Sequence, residues 1–399
     1  MPGPVVVVYA SEEPPAAWEA SVFLAGPTPR SADVASWRPD ALDLIRRQWR
    51  GPGELLVFVP EPRDGGPWAD YEDQRLWELR WLRVADQVVF WVPRDLATLP
   101  GLTTNDEWGW LKDSGRAVFG SPPDAAKVRY QREYAADQNI PLAQTLDETL
   151  RIALGRIGAG ERRTGGERHV PLRIWTTPVF RHWYAAQRRA GNALLAARVV
   201  WTFRTDNDRV LVYWAVHVSV AVAAEGGRVK DNEVVIGRPD TGSVVLYRRA
   251  ATARATTVVL VREFRSSGCA DDGYVRELPG GSAAFGASVT PEAVAAAEVR
   301  EETGLALPTE RLRGHGVRQA AATMSAHRAH VYSAELTDDE LATLRADASS
   351  GLAHGTAEDS ERTYVEVTTY GELLDAPGAD WTTIGMVAQV LADLGDHAD

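Results

Sequence analysis

Five apolar runs in the first 120 residues constrain this chain more than any other feature. VVVVYA (from Val5), SVFLAG (from Ser21), ELLVFVP (from Glu54), QVVFWVP (from Gln87) and RAVFG (from Arg116) carry hardly a polar residue in their interiors. A strand with one wet face alternates polar and apolar residues, whereas a strand covered on both faces is apolar throughout. Helical stretches separate the runs: Pro39–Arg50, with an apolar stripe at Leu42, Leu44 and Ile45, then Tyr71–Val84, then a helix expected to begin near Asn105. Alternation of this kind predicts an α/β domain, a parallel sheet with helices on both faces. Ligands of such sheets bind outside the carboxyl ends of the strands. FLAGPTPR and LPGLTTNDEWGW follow two of the strands, so they stand where a site would form.

The length of 399 residues leaves room for further domains. Gly155–Arg168 (GRIGAGERRTGGER) is rich in Gly and Arg and reads as a linker. The expected division is therefore 1–154, a linker at 155–168, a β-rich extension at 169–250 and a last domain at 251–399. A single cysteine, Cys269, excludes an internal disulfide framework and makes a reducing cytoplasm the default expectation. A net charge of −12 argues against nucleic acid or a membrane surface as the main partner. No apolar run approaches the roughly 18–20 residues needed to span a bilayer, and VVVVYA, with no basic region before it, reads as a strand rather than a signal peptide.

The second half carries one sharp local signal, ELPGGSAAFGASVTPEAVAAAEVREETGL. Thr290, Pro291 and Glu292 form a strong helix start and Gly304 a natural stop. Glu298, Glu301 and Glu302 fall at spacings of three and four and crowd one side of that helix, where like charges repel. Two readings follow, a solvated acidic face or a site for a hard divalent cation such as Mg²⁺ or Mn²⁺.

ELPGG with AEVREETGL resembles the Nudix box, and the resemblance runs from about Thr256 to Leu394 through VVLVREFRSS, ATMSAHRAHVYSAEL and RTYVEVTTYGELL, which are similar to ADP-ribose pyrophosphatase-like members. It implies an α+β Nudix fold preceded by an extra β-rich sheet, hydrolysis of a nucleoside diphosphate linkage and a homodimer. Matched position by position, the metal ligands would be Glu298, Glu301, Glu302 and the Gly280 carbonyl. Glu358 or Glu361 would supply the base unless both are plain loop residues. Glu277 would contact substrate; Arg262 and Arg265 would grip phosphate, or else sit as surface residues at a strand end. Ala287 and Ala297 stand where the family carries a glutamate and an arginine that pair, and the loop between them is longer. A binding-only nucleotide sensor is therefore the rival reading.

In the first half, FLAGPTPR, SWRPDAL, VFVPEPR, DYEDQRLWEL, ADQVVFWVPRDL, LPGLTTNDEWGW and GSPPDAAKVRY resemble the nucleoside 2-deoxyribosyltransferase-like family over residues 4–130. That resemblance implies a flavodoxin-like, doubly wound sheet and attack on an N-glycosidic bond by Glu107. On position alone, Glu107 reads as a carboxylate favoured by a helix N-terminus. Asn105 and Asp106 would orient the sugar and Asp73 would protonate or hold the base. Gly26, Pro27 and Arg30 would form the loop beneath the sugar or its 5′-phosphate; Arg30 and Arg94 are equally readable as ion-pair partners. Together the halves suggest degradation of an NAD-like or ADP-ribose-like small-molecule nucleotide, diphosphate cleavage preceding glycosidic cleavage or following it.

Overall fold

The computed structural model describes residues 2–31, 33–64, 70–205, 210–285, 287–355, 361–376 and 378–395. The chain divides into two compact units, Met1–Val235 and Ile236–Asp399.

The first unit is built on a six-stranded sheet in the order Val5–Tyr9, Leu55–Val59, Ala20–Ala25, Gln87–Trp91, Ala117–Gly120, Leu142–Ala143. Every pairing is parallel. The four inner strands Ala20–Ala25, Leu55–Val59, Gln87–Trp91 and Ala117–Gly120 are buried at every residue, as their unbroken apolar character requires. Setting aside the edge strand Val5–Tyr9, the order is the doubly wound one that reverses at its centre. The reversal lies between Ala20–Ala25 and Gln87–Trp91, with Ala25 opposite Phe90. Five helices follow strands of the sheet: α1 (Arg38–Gln48), α2 (Tyr71–Val84), α3 (Leu102–Leu111), α4 (Arg129–Asp137) and α5 (Leu146–Ile157). An aromatic core of Trp18, Phe23, Phe58, Trp77, Trp81, Phe90, Trp108 and Phe119 fills the space under α2 and α3.

Helix α3 begins three residues before the expected start at Asn105. Gly101, in left-handed backbone, forms its N-cap, and Glu107 therefore lies in the second turn rather than the first. The segment expected as a linker is folded. Residues 155–157 complete α5, Arg163–Thr164 pairs with Ala17–Trp18, and Gly165–His169 is a 3₁₀ turn. The cause is a buried ion pair: Arg163, fully buried, meets Asp86 at 2.6 Å. Asp86 also accepts from the Ser21 amide and hydroxyl and from the Leu172 amide.

The β-rich stretch does not form one extension of the last domain. The long strands Ala193–Thr205 and Val210–Val222 pair with each other, and with Arg228–Gly237 make a three-stranded sheet. Trp175, Phe180, Trp183, Tyr184 and Trp214 cluster there as packing residues. Thr241–Arg248 belongs instead to the second unit, where it pairs with Thr257–Phe264 and with Arg328–Glu335. Its centre is buried throughout, which fits a middle strand and not an appended one.

The second unit is a mixed sheet with a helix layer on each face. Ala295 and Val299 of the glutamate helix (Pro291–Thr303) pack with Val244, Leu246 and Val259. Val387, Val390 and Leu394 of the helix Trp381–Gly395 pack with Val245, Val258 and Leu260. Among the described residues, no helix is long and apolar enough to cross a membrane.

Candidate active site

In the first unit the carboxyl ends of the two central strands open into a cavity of about 220 Å³. Gly26, Pro27 and Arg30 line it, as does Glu107 from α3. Gly26 is required there: its φ is +150°, and an added Cβ would stand 2.2 Å from the Trp91 carbonyl. Thr104 and Glu107, one turn apart, face the cavity, while Trp108 and Leu111 anchor α3 in the core.

Arg38, Gln74 and Glu78 are among the lining residues that were not singled out from sequence. Gln74 and Glu78 are one turn apart on α2, and the Gln74 side-chain amide donates to Glu78 at 2.9 Å. Burial raises the carboxyl of Glu78 above its ordinary range. Burial, then the neighbouring Glu78 charge, pushes Glu107 up to about 8, against a lowering influence of Arg38. Two carboxyls in one poorly solvated cavity cannot both ionise freely, so the charge of Glu78 makes Glu107 hold its proton more tightly.

Asp73 does not line the cavity. It is exposed in the first turn of α2, where its amide donates to the capping Asp70 carboxylate. The inward carboxylate of that helix is Glu78, a little over a turn further on. Asp106 is exposed and outside the lining. Asn105 also lies outside it; its Oδ1 accepts from Arg94 and from Gln131 at 2.7 Å. Arg94 is buried and donates to the carbonyls of Lys127 and Gly101, so it ties the start of α3 in place.

In the second unit, the Gly280–Gly281 strand pairs with Gly242 and Ser243 and meets the glutamate helix. The Gly280 amide donates to Glu302 at 2.9 Å. Gly281 leaves room for Glu298, whose Oε1 would lie 2.0 Å from an added Cβ. Glu302 is buried and pushed up to about 9 by burial, with Glu298 and Glu263 adding to the rise. Glu298 is pushed up to about 7 by burial and by the charges of Glu301, Glu361 and Glu263. Glu301 itself is exposed. Arg265 bridges Glu263 and Glu277, each at 2.8 Å. Arg262 lies over the rings of Tyr274 and Tyr364 instead. Glu358 lies outside the described residues.

This donor set suits a hard divalent cation in its chemistry, because crowded carboxylate oxygens raise one another's proton affinity and a cation relieves that. Among the described residues, no three acidic, histidine or cysteine side chains already stand in a geometry that encloses an ion.

Residues 19–125 match the model of the family described as "Nucleoside 2-deoxyribosyltransferase like". The chain thus carries a domain of that kind, which implies nucleoside-related chemistry. The matched span contains Glu107, Glu78 and the loop Gly26–Arg30, and it does not reach the glutamate helix. No curated protein matches the chain.

Proposed function

We propose that the first unit is an enzyme domain that breaks the N-glycosidic bond of a nucleoside or nucleotide. The observation that carries this is the pair Glu107 and Glu78 in one cavity at the reversal point of the sheet. Glu107, once ionised, attacks the anomeric carbon and forms a glycosyl ester as the bond to the base breaks. Glu78, holding its proton, gives it to the departing base. Water, or a second base, then takes the sugar from Glu107, and Glu78 recovers a proton from that acceptor. Two carboxyls dividing the nucleophile and acid roles follow the logic of retaining glycosyl transfer. Gly26, Pro27 and Arg30 form the loop against which the sugar or its 5′-phosphate lies.

The second unit is proposed as a Nudix-type diphosphatase. What supports the reading is the glycine strand meeting a helix whose Glu302 is buried and Glu298 half-buried, within the charge field of Glu263, Glu361 and Arg265. Glu298, Glu301, Glu302 and the Gly280 carbonyl would hold Mg²⁺ or Mn²⁺, which when bound supplies charge neutralisation on the diphosphate. Arg265 would meet phosphate. The product of such a cleavage, a nucleoside monophosphate, belongs to the substrate class of the first unit.

The test is to incubate the full chain and Mg²⁺ with NAD, ADP-ribose and a panel of nucleosides and nucleoside monophosphates, and to follow free base and AMP. Glu107→Gln should end base release alone and Glu302→Gln diphosphate cleavage alone. Base release that survives Glu107→Gln sinks the first assignment; absence of AMP at every Mg²⁺ concentration sinks the second.

A further inference from the structure

Arg38 is the largest charged side chain to lie almost wholly buried beside the cavity, with 1% of its side chain exposed. It stands at the start of α1 and turns inward. Its Nε donates to the Leu24 carbonyl at 3.2 Å and its Nη2 to the Gly26 carbonyl at 2.8 Å. Its Nη1 donates to the Thr28 hydroxyl at 3.2 Å, to the Pro27 carbonyl at 3.5 Å and to Glu61. The adjacent Trp37 donates its indole N–H to the same Pro27 carbonyl at 3.1 Å. One planar fork thus grips the last residues of the central strand and the turn that follows. Only a guanidinium offers five donors in fixed directions; an ammonium offers three around a single point.

We infer that Arg38 is a positioning residue for glycosidic cleavage, a buried fork that fixes the Gly26–Thr28 turn under the sugar and sets its charge against Glu78 and Glu107. This rests on the proposed glycosidic reaction of the same cavity. The charged groups around Glu107 are Glu78 from α2, Arg38 from α1, Glu61 behind Arg38, Asp106 on its own helix and Arg30 from the turn. Glu61 pairs with Arg38 and offsets part of its charge. The positive charge of Arg38 favours the ionised form of Glu107 against the burial and the Glu78 charge that oppose it.

Three full-length variants separate the two parts of this role, with release of base from nucleoside monophosphates and the side-chain carboxyl ¹³C titration of Glu107 as readouts. Glu107→Gln identifies the signal. Arg38→Lys keeps the charge and loses the fork: KM should rise about tenfold or more, as for one lost hydrogen bond to a charged group, while the pH profile stays in place. Arg38→Gln loses the charge, and both the titration of Glu107 and the acid limb of the rate profile should move up by about one pH unit or more. Glu61→Gln leaves Arg38 unopposed, so the Glu107 titration should move down, which decides the matter even if Arg38→Gln does not fold. An unmoved titration in Glu61→Gln and in any folded Arg38→Gln protein overturns the electrostatic part. Wild-type kinetics in Arg38→Lys overturns the fork. A wild-type protein that releases no base overturns the glycosidic reading alone, and the titrations still decide where the charge of Arg38 acts.

Discussion

Replacing Glu107 by glutamine removes a charge that the folded protein accommodates poorly, so the same change should cost activity and add stability. The carboxyl rises from an ordinary 4.5 to about 8 on folding. The favourable contribution of such a group is complete below pH 4.5 and is lost as pH rises through about 8, because the unfolded chain releases the proton earlier. At about 1.4 kcal/mol for each pH unit, the loss has a ceiling of roughly 5 kcal/mol above pH 8. Water entering the open cavity screens the charge and brings the expected figure to about 2 kcal/mol. Glu107→Gln should therefore match wild type near pH 4.5 and become progressively more stable up to pH 9. Urea denaturation followed by tryptophan fluorescence would read this, since Trp108 is buried beside the substituted residue. Base release should vanish in the same protein. If stability of variant and wild type ran parallel from pH 5 to pH 9, the carboxyl would not be held in a poorly solvated cavity, and its pairing with Glu78 would lose its physical basis.

Gly281→Ala puts a methyl group on Glu298 and should abolish Mg²⁺-dependent diphosphate cleavage while base release continues; equal loss of both activities would contradict separate sites. Arg163→Met strands the buried Asp86 carboxylate and should destabilise the first unit by about 3–5 kcal/mol, read from a urea midpoint; a change under about 1 kcal/mol would mean that the pair is not isolated from water. Glu301→Gln and Glu302→Gln should each remove diphosphate cleavage, but only Glu302→Gln should alter thermal unfolding without Mg²⁺, because Glu301 is exposed and Glu302 buried. Identical melting curves for the two variants would refute that distinction.

The inner strands were legible because burial on both faces leaves no polar position to blur them. Glu107 was legible because a strand-to-helix turn at a sheet end is a restricted place. Glu78 was not. The first two turns of α2 offer Glu72, Asp73 and Glu78, and only the docking of α2 on Phe23 and Phe58 decides which one turns inward; local order favoured Asp73, which serves the helix end. Arg38 was equally hidden, since an Arg before Pro at a helix start reads as surface. Glu301 and Glu302 are neighbours in sequence, yet only Glu302 faces the glycine strand. The supposed linker misled for a related reason. Gly and Arg content describes a flexible connector unless one of the arginines finds a buried carboxylate, and Arg163 finds it 77 residues away.

That pair also sets how far the N-terminal domain can be trimmed. A fragment ending at residue 125, where the family match stops, would lack the strand Leu142–Ala143, the buried face of α5 and two of the groups that satisfy Asp86. Its carboxylate would keep only Ser21. The smallest excised piece that retains every partner of Asp86 ends at Leu172, four residues beyond the stretch whose composition reads as a linker. Modularity here is defined by where a buried charge closes its hydrogen bonds, so a gene fusion or a cut at the apparent domain edge would leave an open seam in the core.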